Sequence, residues 1–444
     1  MHCITMEDLM PQGHFLRKLE AAVDFSFIYD EVREMYCHDN GRPGVDPVVL
    51  MKYLLIGYLY GIGSERRIEQ EIQVNMAYRW FLGLELDERV PDHSTISQNR
   101  RRRFNGQNLY RRLFETILGM CIERGLVDGK IVLTDSTHIK ANASRRSEVR
   151  VVVEKEATAY MALLDRYETA ERARLERLGM PVKKSRAVRK PRVKEQLVST
   201  SDPDAGFLQR PGKPQGMHYL NHQSLDAKHG IVVDVAVTAG NVNDSEPYLE
   251  RIAYMTETLG LEIEAAGADS AYGTSLISQE LEKKGIRLFC PEKETEQFHK
   301  TEIERSAFRY EAEEDVFVCP AGKSLRLRNL ERGEHNILWV YKSERSDCVR
   351  CALYGSCVCD SHDRRIIRMN IFEAAVKRRR DRNGSPEHRR VLALRQIWCE
   401  GTFAAQKARH NLRGLFRRGI EAAEDHCLLS ATAINLKRMI TCRG

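Results

Sequence analysis

The feature that most constrains this chain is a change of hydrophobic period at Lys130. Before it, apolar residues recur at helical spacing. After it, short apolar runs of strand length alternate with helical segments. Ile131-Val132-Leu133-Thr134 reads as a buried strand that ends at Asp135. His218 to Leu225 and Ile231 to Thr238 read as two strands joined by Asp226-Ala227-Lys228-His229-Gly230, a hairpin turn with a glycine. Glu246 to Leu259 reads as a helix, Glu262 to Ala268 as a strand ending at Asp269, Ser275 to Lys284 as a helix closed by Gly285, and Ile286 to Phe289 as a strand. The order strand, hairpin, helix, strand, helix, strand predicts an α/β core with a mixed sheet.

The flanking segments are of other kinds. Residues 15 to about 126 read as helical. Asp46-Pro47 is a helix start, with Asp as N-cap and Pro at the first helical position. The pattern Val48 to Leu55 is apolar nearly all round and predicts a buried helix ended by Gly61 and Gly63. Ser64 caps a second helix, and Asp92-His93 begins another that leads into Arg100, Arg101, Arg102 and Arg103. Short helices followed by basic residues suit a helix-turn-helix-like DNA-binding unit, and equally a plain packing domain. Residues 145–200 are polar, with a helix from about Val152 to Leu178 that breaks at Gly179 and Pro181. Residues 290–365 are β-rich and hold six cysteines. A long helix from about His388 to His410 carries Glu400, and another runs from Ala422 to Met439. The expected domains are 1–126, helical; 127–289, the first part of the core, with a charged excursion at 145–215; 290–385, a β-rich insertion; and 386–444, helices that complete the core.

Charge is clustered more than it is large. The net charge is +7, but Arg100 to Arg103 and Lys377 to Arg380 are unbroken basic runs, and Pro181 to Lys194 holds seven Lys/Arg and no acid. Such blocks are solvated segments or contacts for a polyanion, and three in one chain favour the second. The basic stretch after Pro181 reads either as a DNA contact or as a mobile loop. No apolar run is long enough to span a membrane, and the first residues contain acids and lack the apolar core of a secretory signal. The twelve cysteines are accordingly expected as thiols or metal ligands of a reducing cytosol.

Three segments carry a resemblance. Thr134-Asp135-Ser136-Thr137-His138-Ile139-Lys140-Ala141-Asn142-Ala143 resembles the first-aspartate motif of the DDE transposases of bacterial insertion sequences. Ala268-Asp269-Ser270-Ala271-Tyr272-Gly273 is similar to the second motif. Arg395 to Lys407, reading RQIWCEGTFAAQK, resembles the third, in which a glutamate is followed by a phenylalanine and, seven residues on, by a lysine: here Glu400, Phe403 and Lys407. The helical region from Val45 to Arg103 also resembles the N-terminal domain of that family. The third motif of the family often has a tyrosine before the glutamate; this chain has His388, Arg389 and Arg390 there.

The resemblance implies an RNase H-like catalytic core and a transposase that cleaves DNA at inverted-repeat ends and transfers strands to target DNA. It implies Asp135, Asp269 and Glu400 as catalytic ligands of two Mg²⁺ (or Mn²⁺) ions, and double-stranded DNA as partner. A homodimer that pairs two ends is expected, in the bacterial cytoplasm at the nucleoid. Two-metal phosphodiester chemistry needs this kind of donor set: one ion activates the attacking oxygen and one stabilises the leaving oxygen, and Mg²⁺ prefers carboxylate oxygens. A catalytically silent DNA-binding descendant and a two-metal nuclease without strand transfer are the alternatives. Positions seven apart on a helix share a face, so Lys407 can lie beside Glu400 and reach a phosphate. Arg413, Arg417 and Arg418 continue a basic track, and Lys140 lies in the first motif. Tyr272 either contacts DNA or packs against the sheet.

Cys348-x2-Cys351 has the spacing that lets two thiolates chelate one tetrahedral Zn²⁺. Cys319 and Cys357 could complete four ligands, with Cys359 adjacent, and buried free thiols are the alternative.

Overall fold

The computed structural model describes residues 5–35, 44–104, 108–154, 158–180, 193–209, 212, 215–292, 301–358 and 362–442. Helix α1 spans Pro47–Tyr60. The Asp46 side chain accepts from the N–H groups of Val48 and Val49, and Gly61, at φ 69°, stops the helix in the left-handed region. Leu50 to Leu59 are buried without a break, as expected of a helix apolar all round. Ser64 caps α2, Glu65–Val74; Asp92 caps the helix His93–Asn99; and α3 spans Leu109–Glu123.

These helices do not close on themselves. The C-terminal helix, Ile420–Thr441, packs against α1, α3 and the central sheet. One continuous core therefore runs from residue 10 to residue 439. Polar contacts fix the join: the Tyr58 hydroxyl and His426 Nδ1 lie 2.8 Å apart, and His410 Nδ1 lies 2.7 Å from the Tyr58 carbonyl. Asn435 reaches the sheet, accepting from the N–H and donating to the carbonyl of Val232, both at 2.8 Å. A helix side chain thus satisfies backbone groups at a strand that, among the described residues, has no strand neighbour on that side.

The central sheet is built from β1 (Ile131–Lys140), β2 (Gly216–Asp226), β3 (Val232–Ala239), β4 (Ala265–Gly267) and β5 (Arg287–Phe289). Its order is β3-β2-β1-β4-β5. The pairs β3/β2 and β2/β1 are antiparallel, and β1/β4 and β4/β5 are parallel. A short strand, Gly206–Leu208, pairs antiparallel with the start of β2.

Two strand limits differ from those read in the sequence. β1 continues six residues past Thr134 to Lys140, so Asp135 lies within the strand and not at its end. Asp135, Ser136 and Thr137 are paired with Gln223, His222 and Asn221 of β2. The apolar run stops where backbone pairing does not, because a ladder is made by main-chain groups whatever the side chains. β4 is shorter than expected and ends at Gly267, two residues before Asp269.

The segment after β1 is more ordered than a polar excursion suggests. Glu148–Glu154 and Val193–Ser199 form a two-stranded ladder, so the stretch from Val152 begins as strand, and the helix spans Ala159–Arg177. Residues 181–192 of the expected basic stretch lie outside the described residues. Residues 309–370 form a five-stranded antiparallel meander. The helix Ala159–Arg177 packs on it, with Trp339 Nε1 donating to Glu171 Oε1 at 2.7 Å and Arg332 pairing with Asp165 at 3.1 Å. Among the described residues no single helix is long and apolar enough to cross a membrane.

Candidate active site

Asp135 stands on β1 and Asp269 two residues past the end of β4, the neighbouring parallel strand, where β1 extends beyond it. Asp135 is half-buried. It accepts from the Ser136 N–H at 2.8 Å and receives Arg395 Nη1 on its other oxygen at 2.9 Å. Burial pushes its pKa up, the Arg395 guanidinium opposes this, and the nearby negative charge of Asp269 adds to it. Asp269 caps the turn Ser270–Tyr272 by accepting from the Ala271 N–H. That employs Oδ1 in the way turn-forming aspartates are used.

Glu400 comes from a helical rod made of Pro386–Arg395, a π-turn at Gln396–Glu400, and Gly401–Arg409. The rod is docked on the sheet at several points. Val391, fully buried, fits against Gly267 and Leu133; a Cβ on Gly267 would lie 2.6 Å from Val391 Cγ1 and 2.9 Å from Leu133 Cδ2. Trp398 lies over Gly230 of the hairpin turn and donates from Nε1 to the Ala227 carbonyl at 3.0 Å. Arg395 holds Asp135, and Lys407 Nζ donates to Thr137 Oγ1 two residues further along β1. Glu400 lies between these last two anchors. It is exposed, and among the described residues its carboxylate takes no hydrogen bond or ion pair. Single π-turns inside α-helices are frequent at functional sites. This one adds a residue just where the acid is presented.

The three carboxylates are not drawn into a tight cluster. Among the described residues, one group of three potential ligands has its atoms within 4.8 Å of one another, and it is Glu69, Asp92 and His93 in the helical region. There Glu69 accepts from both the backbone N–H and Nδ1 of His93, which accounts for the grouping. The donor chemistry at Asp135 and Asp269 nevertheless suits a hard divalent cation. Two carboxylates of like charge stand near each other, and burial disfavours the ionised form of Asp135 unless positive charge joins it.

The residues expected to contact DNA fall into two groups. Lys140 and Arg413 are exposed, as is Arg418. They gather at the end of β1, where Lys140 bridges to Gly414, Arg413 Nε donates to the Lys407 carbonyl and Arg418 Nε to the Asn142 carbonyl. Arg101 and Arg102 are exposed, and Arg103 is half-buried. The others are drawn inward, two arginines into ion pairs and Tyr272 into packing, which was one of the two readings open for it. Arg100 is buried and pairs with Glu65 at 2.5 Å. Arg417 pairs with Asp425 at 3.1 Å. Tyr272 is 1% exposed, its ring edge-on to Tyr248 at 4.9 Å, so the packing alternative holds for it.

Two residues near the acids carried no signal by themselves in the sequence. Arg395 lay inside the third segment, yet only the fold sets it against Asp135. Asp244, in the loop after β3, accepts from Ser136 Oγ at 3.0 Å. The run Asn243-Asp244-Ser245 reads as a turn before a helix.

Cys319, Cys348, Cys351 and Cys357 line one cavity of about 30 Å³ beside Ser343 and Arg365. Cys319 Sγ accepts from the Lys323 N–H at 3.2 Å, and Cys351 Sγ from the Leu353 N–H at 3.4 Å. No three of these sulfurs lie within 4.8 Å of one another. Cys359 lies outside the described residues.

Two families match the chain. One, described as a transposase domain (DUF772), matches residues 4–102. The other, described as a transposase DDE domain, matches residues 318–440, a span that includes the four cysteines and Glu400. The two matches fall in the order that the sequence resemblance implies, and they are consistent with a DDE transposase. None of the curated proteins matches the chain. Among solved structures, one titled as a cryo-EM structure of a piggyBac transposase synaptic complex with hairpin DNA aligns over 96% of this chain and 82% of that chain. Its identity is 9% and its TM-score 0.28, an overlap too loose to bear on this fold.

Proposed function

We propose that this chain, which carries the two domains of a DDE transposase, cleaves DNA at inverted-repeat ends and joins the freed 3′ ends to target DNA. The observation that carries the proposal is that Asp135 on β1 and Asp269, two residues past the end of the neighbouring parallel strand β4, come from adjacent strands, with the rod of Glu400 docked on β1 through Arg395 and Lys407. The strand order, with three antiparallel strands followed by two parallel ones, supports an RNase H-like core. Such a core is divided here by the meander that carries the cysteines, and completed by the helices after residue 386.

Two Mg²⁺ or Mn²⁺ ions held by Asp135, Asp269 and Glu400 would supply the activation of the attacking oxygen and charge stabilisation at the leaving oxygen. The chain's own part is to orient and to bind. Arg395 fixes the Asp135 carboxylate through one oxygen. Lys407 stands by to meet a phosphate near the acids. Lys140, Arg413 and Arg418 offer backbone contacts at the end of β1, and Arg101, Arg102 and Arg103 offer others on the helical region. Two transposon ends must be paired, so the acting form is a homodimer on DNA, in the bacterial cytoplasm.

The test is cleavage and joining of a labelled inverted-repeat end with Mg²⁺ or Mn²⁺, comparing wild type with Asp135→Ala, Asp269→Ala and Glu400→Ala. Loss of both activities in all three variants supports the reading. Variants that cut as well as wild type reject it, and cutting without joining would make the protein a nuclease.

We also propose one structural Zn²⁺ at Cys319, Cys348, Cys351 and Cys357. It is supported by the shared cavity and by N–H donors aimed at two of the sulfurs, as ligating thiolates receive them. Ligation requires the sulfurs to close in from their spacing here. Elemental analysis of freshly purified protein should find about one zinc per chain; less than about a tenth rejects the site.

A further inference from the structure

Gln223 of β2 is 0% exposed, and its amide nitrogen and amide oxygen are both buried without a hydrogen-bond partner among the described residues. A buried donor and acceptor left unpaired weaken a fold, so packing alone is no reason for a glutamine in an interior strand. The ladder shows what it faces. Gln223 stands directly opposite Asp135 of β1, and on its other side opposite Val235 of β3. Directly opposite residues of an antiparallel pair share a sheet face, with Cβ atoms about 5 Å apart. That face lies under the rod, since Asp135 receives Arg395 there and Thr137, two residues on, receives Lys407.

The segment that presents Glu400 closes over the same place. The turn Gln396–Glu400 packs on both β1 and β2, with Cys399 fully buried beneath it. Gln223 therefore lies under this turn, beside Asp135, with a valine on its far side. The Asp135 carboxylate can take it. Each of its oxygens accepts one donor, the Ser136 N–H on one and Arg395 on the other, and a carboxylate has about four acceptor positions.

We propose that Gln223 is a positioning residue of the cation site, its amide N–H donating to the Asp135 carboxylate and its amide oxygen accepting from a water that the cation keeps. Mg²⁺ retains several of its waters, and their protons need acceptors. A carboxamide between a carboxylate and such a water satisfies both of its ends. This rests on the reading of Asp135 as a cation ligand. Asn221, two residues away on the same strand and face, provides the comparison. It is also 0% exposed, with both amide atoms unpartnered, but it stands opposite Thr137 and not opposite an acid.

The test is Mn²⁺ binding to the full chain without DNA, followed by titration calorimetry and by the electron paramagnetic resonance signal of free Mn²⁺. Gln223→Met keeps the length of the side chain and removes both polar atoms. It should weaken Mn²⁺ binding roughly tenfold, the usual cost of losing a group that holds a ligand. Its Tm in EDTA should equal or exceed that of wild type, because an unpaired buried amide is gone. Asn221→Leu should bind Mn²⁺ as wild type does. The inference is overturned if Gln223→Met binds Mn²⁺ normally while Asp135→Asn does not, or if Asn221→Leu loses as much affinity as Gln223→Met. If Asp135→Asn also binds normally, the underlying reading of the acid fails and this inference falls with it. Should Gln223→Met not fold, Gln223→Leu carries the same test. A chain that folds with neither shows that the amide holds the core, which overturns the inference.

Discussion

Arg395 Nη1 lies 2.9 Å from Asp135 Oδ2, with the two side chains 16% and 18% exposed, and so ties the helical rod of Glu400 to the strand of Asp135. The two residues are 260 positions apart in the chain. This contact sets the orientation of one proposed ligand from the element that carries another.

Removing that tie should be felt in the chemistry. Arg395→Ala is expected to slow end cleavage by roughly 10- to 100-fold, the usual cost of losing a group that orients a ligand. Arg395→Lys should recover part of the rate, because it restores charge without the planar fork. Single-turnover rates at saturating DNA are the measurement. A wild-type rate in Arg395→Ala would show that the contact only fills space.

Gly267 is the point of closest approach between β4 and the rod. With Val391 Cγ1 2.6 Å from where a Cβ would stand, Gly267→Ala must move the rod or the strand. The expected loss is about 1–3 kcal/mol, as for other overpacked cores. Urea unfolding checks this, and Val391→Ala in the same chain should return part of the loss. A Gly267→Ala chain as stable as wild type would contradict the tight docking.

The arginine run should divide by burial. Arg100→Ala leaves Glu65 without its partner, and breaking a buried pair costs about 3–5 kcal/mol. Arg101→Ala and Arg102→Ala remove exposed side chains and should change stability by no more than about 0.5 kcal/mol. If these two meet phosphates, each substitution lowers the slope of log K against log salt by about one. Unfolding curves and DNA binding at several salt concentrations separate the two effects.

Acid should loosen the join between the helical region and the C-terminal helix. Burial pushes His410 and His426 down to about 4. A folded-state value below the unfolded one means that stability is present above pH 6.5 and lost as the pH falls through about 4, by on the order of 3 kcal/mol for each group. Asp425, pushed up to about 6 by burial, acts in the opposite direction over this window: its contribution is lost as pH rises through about 6. Stability measured from pH 7.5 to pH 4.5 should fall, and His426→Gln should flatten the curve. An unchanged slope in that variant would remove His426 from the account.

Much of the local structure was legible because short-range chemistry sets it. Asp46-Pro47, Ser64 and Asp92 begin helices through side-chain oxygens that reach N–H groups two or three residues on, and Gly61 ends one in a conformation glycine adopts freely. The end of β1 was not legible. Its second half is polar, and its backbone finds partners in β2, some 80 residues later. The same limit applied to Arg100 and Tyr272, whose residue types belong on surfaces as often as in cores and whose burial depends on Glu65 and Tyr248.

For the candidate site, the sequence by itself determined which acids stand near apolar strands and which glutamate and lysine share a helical face. These depend on periodicity and on motifs a few residues long. Only the tertiary structure decided that Arg395 meets Asp135, that Gly267 admits Val391, that Ser136 faces Asp244, and that the four cysteines line one cavity. Each of these joins segments separated by tens to hundreds of residues. Their meeting is fixed by strand order and helix docking, which no local pattern encodes.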